Sequence, residues 1–310
     1  MAIKHELVDY LTARSNSSLP EVWQAPISEL RKNLENRALQ SGEPENIFEV
    51  KHRFIPGPTS DLPIRIYRPV KGSVLPALVF FHGGGWVLNN LDSYEQALRS
   101  LANKGKFVVI AVNYQKAPEQ PFPVPFDDCY ATLNWVYENS AQLGINESQI
   151  GVGGDSAGGN LAAAVAIKAR DQGDFNLAFQ LLIYPCNDNE MKYDSAYNNA
   201  VGYGLSTQSM EWFWKQYLSR KADAKNPYAV PAAAKDFRGL APAIITTAEL
   251  DPLLDDGYNY AELLRKSGVA TVYREYDGVI HGYFTLAAIT PEAQVLQQFV
   301  VDEINALLQR

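Results

Sequence analysis

The strongest constraint on this 310-residue chain is a glycine-rich turn that reads Gly-Asp-Ser-Ala-Gly-Gly over residues 154–159. An apolar run at 150–154 precedes the turn, and an alanine-rich segment at 160–170, typical of a helix, follows it. A serine in a G-x-S-x-G pattern between a strand and a helix matches a turn that exposes a nucleophilic hydroxyl. The free N–H groups at the start of the helix also favour developing negative charge. Ser156 is therefore predicted to be a nucleophile.

Other uses of a glycine-rich turn fit this segment less well. A dinucleotide-binding pattern could begin at Gly151, but Ser156 stands where a third Gly or Ala belongs. The acids about 20 residues further on, Asp171 and Asp174, fall at the end of a predicted helix and not after a strand. A phosphate-binding loop is excluded because no Gly-Lys-Ser/Thr follows. A purely structural turn remains the alternative.

The order of segments along the chain predicts an α/β fold. Segments typical of strands lie at 47–55, 62–70, 76–82, 107–114, 150–154, 178–185, 241–250 and 270–277. Segments typical of helices lie at 93–103, 126–143, 160–170, around 261–265 and at 292–308. The first two strands alternate with period two and predict an antiparallel hairpin. The repeated strand–helix units that follow predict a mostly parallel central sheet flanked by helices.

Two segments interrupt this order. Residues 1–45 mix polar and apolar side chains as helices do, and 186–235 are rich in Tyr, Trp and Phe. An interruption of 50 residues inside a compact domain indicates an insertion with its own helices. We therefore predict a catalytic domain in two parts, 46–185 and 236–310, with a helical cap formed by 1–45 and 186–235.

A second glycine-rich motif, His-Gly-Gly-Gly-Trp at 82–86, directly follows the predicted strand 76–82. Such a motif supplies backbone N–H groups that stabilise an oxyanion. We expect the N–H groups of Gly83, Gly84 and Ala157 to do so. A flexible turn with His82 in a structural hydrogen bond is the alternative.

Four side chains near these motifs are predicted to contact substrate: Trp86, Asp155, Trp212 and Trp214. Trp86 directly follows the glycines of the second motif, and Asp155 precedes the predicted nucleophile. For Trp212 and Trp214, packing inside the cap is slightly preferred over contact with substrate.

Histidine order indicates the general base. The histidines are His5, His52, His82 and His281. Hydrolases with this strand–turn–helix serine place the acid and then the histidine after the serine, and only His281 follows Ser156. An exposed loop histidine is the alternative.

Several carboxylates could orient that histidine. Those near the end of the strand 241–250 are Glu249, Asp251, Asp255 and Asp256. Asp251 is preferred because it directly follows the strand and precedes Pro252, a residue suited to the first turn of a helix. Glu249 is the second choice, whereas Asp255 and Asp256 suit the start of that helix.

Together these motifs resemble the hormone-sensitive-lipase-like family of α/β-hydrolases, in its bacterial carboxylesterase branch. The matching segments are 82–86, 154–160, 251–253 and 281–283, with weaker matches at 117–123 and 210–214. The resemblance implies an α/β-hydrolase fold and hydrolysis of short to medium acyl esters through an acyl-enzyme on Ser156. It implies no metal or cofactor, and some relatives suggest a homodimer, for which the predicted strand 270–277 offers an exposed edge.

Composition limits the remaining function classes. Lys+Arg number 27 and Asp+Glu 35, so the net charge of -8 argues against a nucleic-acid partner. No apolar run approaches the length of a membrane span, and the first residues lack the apolar core of a signal peptide, so a cytoplasmic protein is expected. No cluster of His, Cys and carboxylates has metal-ligand spacing, and neither Cys129 nor Cys186 has a predicted role. A non-catalytic receptor on the same fold, an amidase and an acyltransferase remain alternatives.

Overall fold

An eight-stranded sheet forms the centre of the computed structural model, which describes residues 3–17, 20–32 and 39–309. The strands are β1 (Glu49–Ile55), β2 (Leu62–Arg68), β3 (Leu75–Phe81), β4 (Val108–Val112), β5 (Ile145–Asp155), β6 (Gln180–Ile183), β7 (Ala243–Leu250) and β8 (Thr271–Ile280). Their order across the sheet is β1-β2-β4-β3-β5-β6-β7-β8. β1, β2 and β4 pair antiparallel, and all other neighbours are parallel. The predicted hairpin and the mostly parallel sheet are confirmed.

Helices cover both faces of the sheet, so its central strands are apolar on both sides. The flanking helices are Glu95–Gly105, Val124–Glu138, Ser140–Leu143, Ala157–Gln172, Leu254–Lys266 and Glu292–Leu308. On β3, Val79 and Phe81 pack in one buried cluster with residues of Ala157–Gln172, whereas Phe80 packs in a second with residues of Glu292–Leu308. This alternation follows from the period of two along a strand.

Several predicted boundaries differ from the structure, and two of them have a local cause. The helix predicted at 126–143 is divided at Asn139, whose side-chain amide donates to the carbonyl of Trp135 at 2.8 Å and competes with the helical backbone. The strand predicted at 150–154 begins at Ile145, which pairs with Leu75 before a register shift. The polar side chains at 146–149 conceal that start from a hydrophobic pattern.

The eighth strand brings His281 closer to the sheet than the sequence indicates. The predicted strand ends at residue 277, but β8 continues through Ile280, so His281 directly follows the strand. Gly278 has a positive φ of 69° within β8, and its N–H donates to Glu249 Oε2 at 2.6 Å. A glycine tolerates this backbone conformation, which lets an irregular strand remain paired.

The two segments predicted as a cap carry helices in the described residues. The first contains His5–Ser15 and Ile27–Lys32. The second contains Asp194–Asn198 and Thr207–Tyr217, with 3₁₀ turns at Lys221–Lys225 and Pro231–Ala233. Within residues 3–17, 20–32 and 39–309, no helix is long and apolar enough to cross a bilayer.

Candidate functional site

Ser156 lies at a sharp turn between β5 and the helix Ala157–Gln172, with φ 55° and ψ −122°. Its N–H donates to the carbonyl of Ile183 at 2.9 Å, which ties the turn to the neighbouring strand. A methyl group added to Gly158 would lie 2.0 Å from the carbonyl oxygen of Phe81. Glycine is therefore required where the new helix crosses the end of β3, and this close approach holds the serine at the carboxyl edge of the sheet.

A hydrogen-bonded chain joins three predicted site residues. His281 Nε2 lies 2.9 Å from Ser156 Oγ, and His281 Nδ1 lies 2.6 Å from Asp251 Oδ2. Asp251 is fully buried, and its other carboxylate oxygen accepts from the N–H of Leu253 at 2.9 Å. The carboxylate therefore favours the proton on Nδ1 and leaves Nε2 as an acceptor for the serine hydroxyl. The ring also packs against Tyr184, with centroids 4.6 Å apart.

The second-choice acid, Glu249, serves a different bond. Its carboxylate accepts from the backbone of Gly278 within β8, as described above. Asp251 accordingly contacts His281, and Glu249 supports the strand that carries that histidine.

The other two carboxylates hold the second cap segment. Asp255 accepts from the N–H of Ser195 at 2.8 Å. Asp256 accepts from the N–H groups of Asn187 at 2.8 Å and Asp188 at 3.1 Å. Burial raises the pKa of the Asp256 carboxyl well above its ordinary value. Both residues lie at the start of the helix Leu254–Lys266, as predicted, but they bind the segment after β6.

The glycine loop after β3 corrects one prediction. The N–H of Gly83 is turned inward, donating to Asp155 Oδ1 at 2.8 Å and lying 2.9 Å from the Tyr94 hydroxyl. It is therefore not free to bind a substrate oxygen. Among the described residues, the N–H groups of Gly84, Gly85 and Ala157 have no protein acceptor. Gly85 was absent from the predicted donors.

Asp155 lies beneath this loop and lines neither of the two cavities described below, which corrects its prediction as a substrate contact. Its carboxylate is buried and accepts from Gly83, from the Tyr94 hydroxyl at 3.0 Å and from the Tyr184 hydroxyl at 3.4 Å. Burial raises the pKa of Asp155 to about 6, although these hydrogen bonds oppose the shift. The Asp155 side chain therefore holds the glycine loop against the turn that carries Ser156.

His82, at the start of the same loop, is a structural histidine. Its ring is buried and stacks on Tyr114 with centroids 4.4 Å apart. Burial lowers the pKa of His82 to about 3, so the ring is neutral near neutral pH.

The predicted aromatic contacts with substrate are not found at the cavities. Trp86 is fully buried, stacked on Tyr217 at 4.3 Å and tilted against Trp214 at 4.4 Å. Trp212 is half-buried and packs against Phe213. None of the three tryptophans lines either of the two cavities described below. Trp86 and Trp214 therefore join the glycine loop to the helix Thr207–Tyr217.

Phe213 is the residue of that helix that lines the cavity beside His281. It would also lie 2.2 Å from a methyl group built on Gly85, so its ring covers the glycine loop. Helical spacing could have indicated this position, because 210, 213, 214 and 217 share the buried face of Thr207–Tyr217.

Two adjoining cavities lie above the hydrogen-bonded chain. The smaller, of 120 Å³, is lined by His281, and the larger, of 690 Å³, lies between the first cap segment and residues 201–208. Residues that line both include Tyr10, Arg14, Val22, Leu88, Gly204 and Leu205. These positions belong to the segments in which the sequence shows no chemical motif, and the sequence analysis predicted none of them.

Comparison with known proteins gives consistent matches along the chain. A family model described as an alpha/beta hydrolase fold matches residues 78–285. Carboxylesterase NlhH of Mycobacterium tuberculosis is 41% identical over 238 residues, 76% of this chain and 75% of that protein. Ethyl acetate hydrolase of Pseudomonas putida is 33% identical over 317 residues, covering 98% of this chain and 99% of that protein.

Solved structures show the same similarity. A hyperthermophilic esterase from the archaeon Pyrobaculum calidifontis superimposes with a TM-score of 0.94 at 36% identity, covering 99% of each chain. The thermostable carboxylesterase EstE1, cloned from a metagenomic library, gives a TM-score of 0.89 at 34% identity, over 92% of this chain and 99% of that chain.

Proposed function

Since the chain belongs to the hormone-sensitive-lipase-like family of α/β-hydrolases and is a carboxylesterase, we propose that Ser156, His281 and Asp251 form its catalytic triad. The observation that carries the proposal is the hydrogen-bonded chain from Asp251 through His281 to the Ser156 hydroxyl. A receptor on the same fold would not need that chain, so the geometry favours catalysis.

The proposed reaction proceeds in two steps. Ser156 Oγ attacks the ester carbonyl carbon while His281 Nε2 takes the hydroxyl proton, and the C–O bond to the alcohol breaks as His281 returns that proton to the leaving oxygen. Water, deprotonated by the same nitrogen, then attacks the acyl carbonyl carbon. The bond to Ser156 Oγ breaks as His281 returns that proton to Oγ, and the carboxylic acid is released. Asp251 holds the ring and stabilises its positive form in both steps.

We assign the oxyanion donors to the N–H groups of Gly84, Gly85 and Ala157. All three are without a protein acceptor among the described residues. Ala157 begins the helix after the serine, so its N–H is one that an α-helix leaves unpaired. Gly83 supports them indirectly, because its bond to Asp155 fixes the loop.

Substrate selection is assigned to the two cap segments. Residues of both segments line the two cavities, and many of these side chains are apolar, among them Val22, Leu205 and Phe213. Apolar side chains in a pocket wall suit the hydrocarbon part of an ester. The small cavity beside His281 supports a preference for acyl chains of about two to eight carbons, which is also what the family resemblance implies.

The direct test compares Ser156→Ala with Ser148→Ala. Ser148 is exposed, and among the described residues its hydroxyl donates to Asn146 Oδ1 alone. We expect kcat for a chromogenic acetate or butyrate ester to fall by ~10³-fold or more in Ser156→Ala. The Ser148→Ala variant is expected to match the wild type. Near-full activity in Ser156→Ala would refute the assignment.

A series of p-nitrophenyl esters tests the chain-length preference. The proposal predicts the highest kcat/KM among chains of about two to eight carbons. A maximum at sixteen carbons would show that the small cavity does not limit the substrate.

A further inference from the structure

The guanidinium of Arg14 is a charged group in the pocket that the proposed mechanism does not use. Arg14 lies in the last turn of the helix His5–Ser15 and lines both cavities. None of the described residues pairs with its guanidinium. By contrast, Arg31 in the next helix pairs with Glu119 at 2.8 Å. The helix dipole stabilises a cation in the last turn of a helix, but it does not explain why the Arg14 guanidinium borders the active site.

Gly204 places the Arg14 charge close to the proposed triad. A methyl group built on Gly204 would lie 3.8 Å from Arg14 Nη1 and 3.8 Å from Ile280 Cδ1. Ile280 is the last residue of β8 and precedes His281. Arg14 and His281 also line the same cavity of 120 Å³. A small substrate bound at His281 therefore extends toward the guanidinium.

The surroundings of Arg14 favour a bound anion. Of the described residues that line the smaller cavity, Arg14 is the only Lys, Arg, Asp or Glu, and Glu21 is the only acid lining the larger one. Of the other residues that line both cavities, Val22, Leu88 and Leu205 are apolar, and Tyr10 and Gln40 are uncharged. Displacing water from such a wall strengthens a charge-assisted hydrogen bond between a guanidinium and a carboxylate.

We propose that Arg14 makes this site prefer esters that carry a carboxylate a few bonds from the scissile carbonyl. The proposal rests on the function assigned to Ser156, His281 and Asp251, and it adds the charge of the substrate to that function. The carboxylate belongs either to the acyl part or to the alcohol part of the ester. In both cases the same ion pair with Arg14 holds it.

Matched pairs of esters measure the preference. On the acyl side, monomethyl adipate replaces the terminal methyl of methyl hexanoate by a carboxylate. On the alcohol side, 4-acetoxybutanoate does the same for butyl acetate. The readout is the kcat/KM ratio of the charged to the neutral ester, followed by acid release. This ratio cancels changes in the amount of folded enzyme.

The variants are Arg14→Gln, Arg14→Glu and Arg14→Lys, with Arg53→Gln as the control. Arg53 is an exposed arginine on β1, the strand at the far edge of the sheet from β8. We expect the ratio for at least one pair to fall about tenfold in Arg14→Gln, as for the loss of one hydrogen bond to a charged group. The kcat/KM ratio should fall further in Arg14→Glu. It should be largely kept in Arg14→Lys and unchanged in Arg53→Gln.

The pair that responds identifies the half of the ester that faces Arg14. Ratios that stay constant for both pairs in Arg14→Gln and Arg14→Glu would overturn the proposal, as would an equal fall in Arg53→Gln. That outcome leaves the proposed triad intact if Ser156→Ala is inactive on the neutral esters. Activity of Ser156→Ala on those esters would instead overturn the triad.

Discussion

The carboxyl edge of the sheet and the cavity wall formed by the cap segments are built differently. At the edge, Asp251 and Asp155 are buried, and each accepts several hydrogen bonds from other groups of the site. On the cavity wall, Arg14 is exposed and unpaired by described residues, and Val201 is 75% exposed. Rigid, fully bonded groups suit chemistry that needs fixed distances, whereas exposed groups can vary without disturbing the fold.

This contrast in burial and hydrogen bonding indicates which residues should control activity and which should control selectivity. Changes at the carboxyl edge should lower kcat for every ester. Changes on the cavity wall should alter which ester is preferred and should change kcat less. Variants in both regions test this separation.

The largest effect is expected for Asp251→Asn. The amide cannot hold the imidazole in the tautomer that leaves Nε2 free, so kcat should fall by ~10³-fold or more for all esters. Steady-state kinetics against Asp277→Asn, an exposed carboxylate on β8, supplies the measurement and its control. Activity within tenfold of the wild type would show that Asp251 does not orient His281.

A smaller loss is expected for Asp155→Ala. Removing the carboxylate leaves the Tyr94 hydroxyl as the acceptor for the N–H of Gly83 and loosens the glycine loop, so kcat should fall by roughly 10²-fold, as for the loss of an oxyanion donor. Asp155→Asn keeps an acceptor for that N–H and should retain most of the activity. Equal losses in both variants would mean that charge, and not loop position, is what Asp155 contributes.

The raised pKa of Asp155 predicts a pH dependence of stability. The pKa of the Asp155 carboxyl is about 6 in the folded protein and lower in the unfolded chain. Its contribution to the free energy of unfolding is therefore largest below the unfolded pKa and is lost as the pH rises through 6. Relative to Asp155→Asn, the wild type should therefore lose about 2–3 kcal/mol of unfolding free energy between pH 4 and pH 7. Urea unfolding across this range measures it. A constant difference between the two proteins would contradict the raised pKa.

The smallest effect is expected on the cavity wall. Phe213→Ala enlarges the cavity beside His281, so the preferred acyl chain should lengthen and KM for acetate esters should rise by a few fold. Glu211→Ala, on the exposed side of the same helix and outside both cavities, is the control and should leave the chain-length profile unchanged. A large fall in kcat without a change of profile in Phe213→Ala would break the proposed separation.

The sequence predicted the sheet and the triad arrangement because both depend on local, short-range patterns. Ser156 lies in a six-residue motif, and His281 is the sole histidine after it. The prediction of Gly83 as an oxyanion donor is wrong because the His-Gly-Gly-Gly-Trp motif places glycines near the substrate without specifying which N–H group turns toward the protein interior. That orientation depends on Asp155, about 70 residues away along the chain.

The cavity wall could not be predicted from the sequence for a related reason. Arg14, Gly204 and Phe213 meet only after distant segments pack together, and none lies in a motif with chemical meaning. Trp86 and Trp214 are large apolar side chains that suit a binding site as well as a core, and in the structure both are buried.

The proposed mechanism requires that Ser156 Oγ is the atom acylated by the substrate. Treatment with a p-nitrophenyl phosphonate, followed by peptide mass spectrometry, tests it directly because such a reagent traps an activated serine. We predict one phosphonyl group per chain, on the peptide that contains Ser156, with loss of esterase activity in proportion to labelling and no labelling in Ser156→Ala. Labelling of another residue in parallel with inactivation, or full activity after Ser156 is modified, would contradict it.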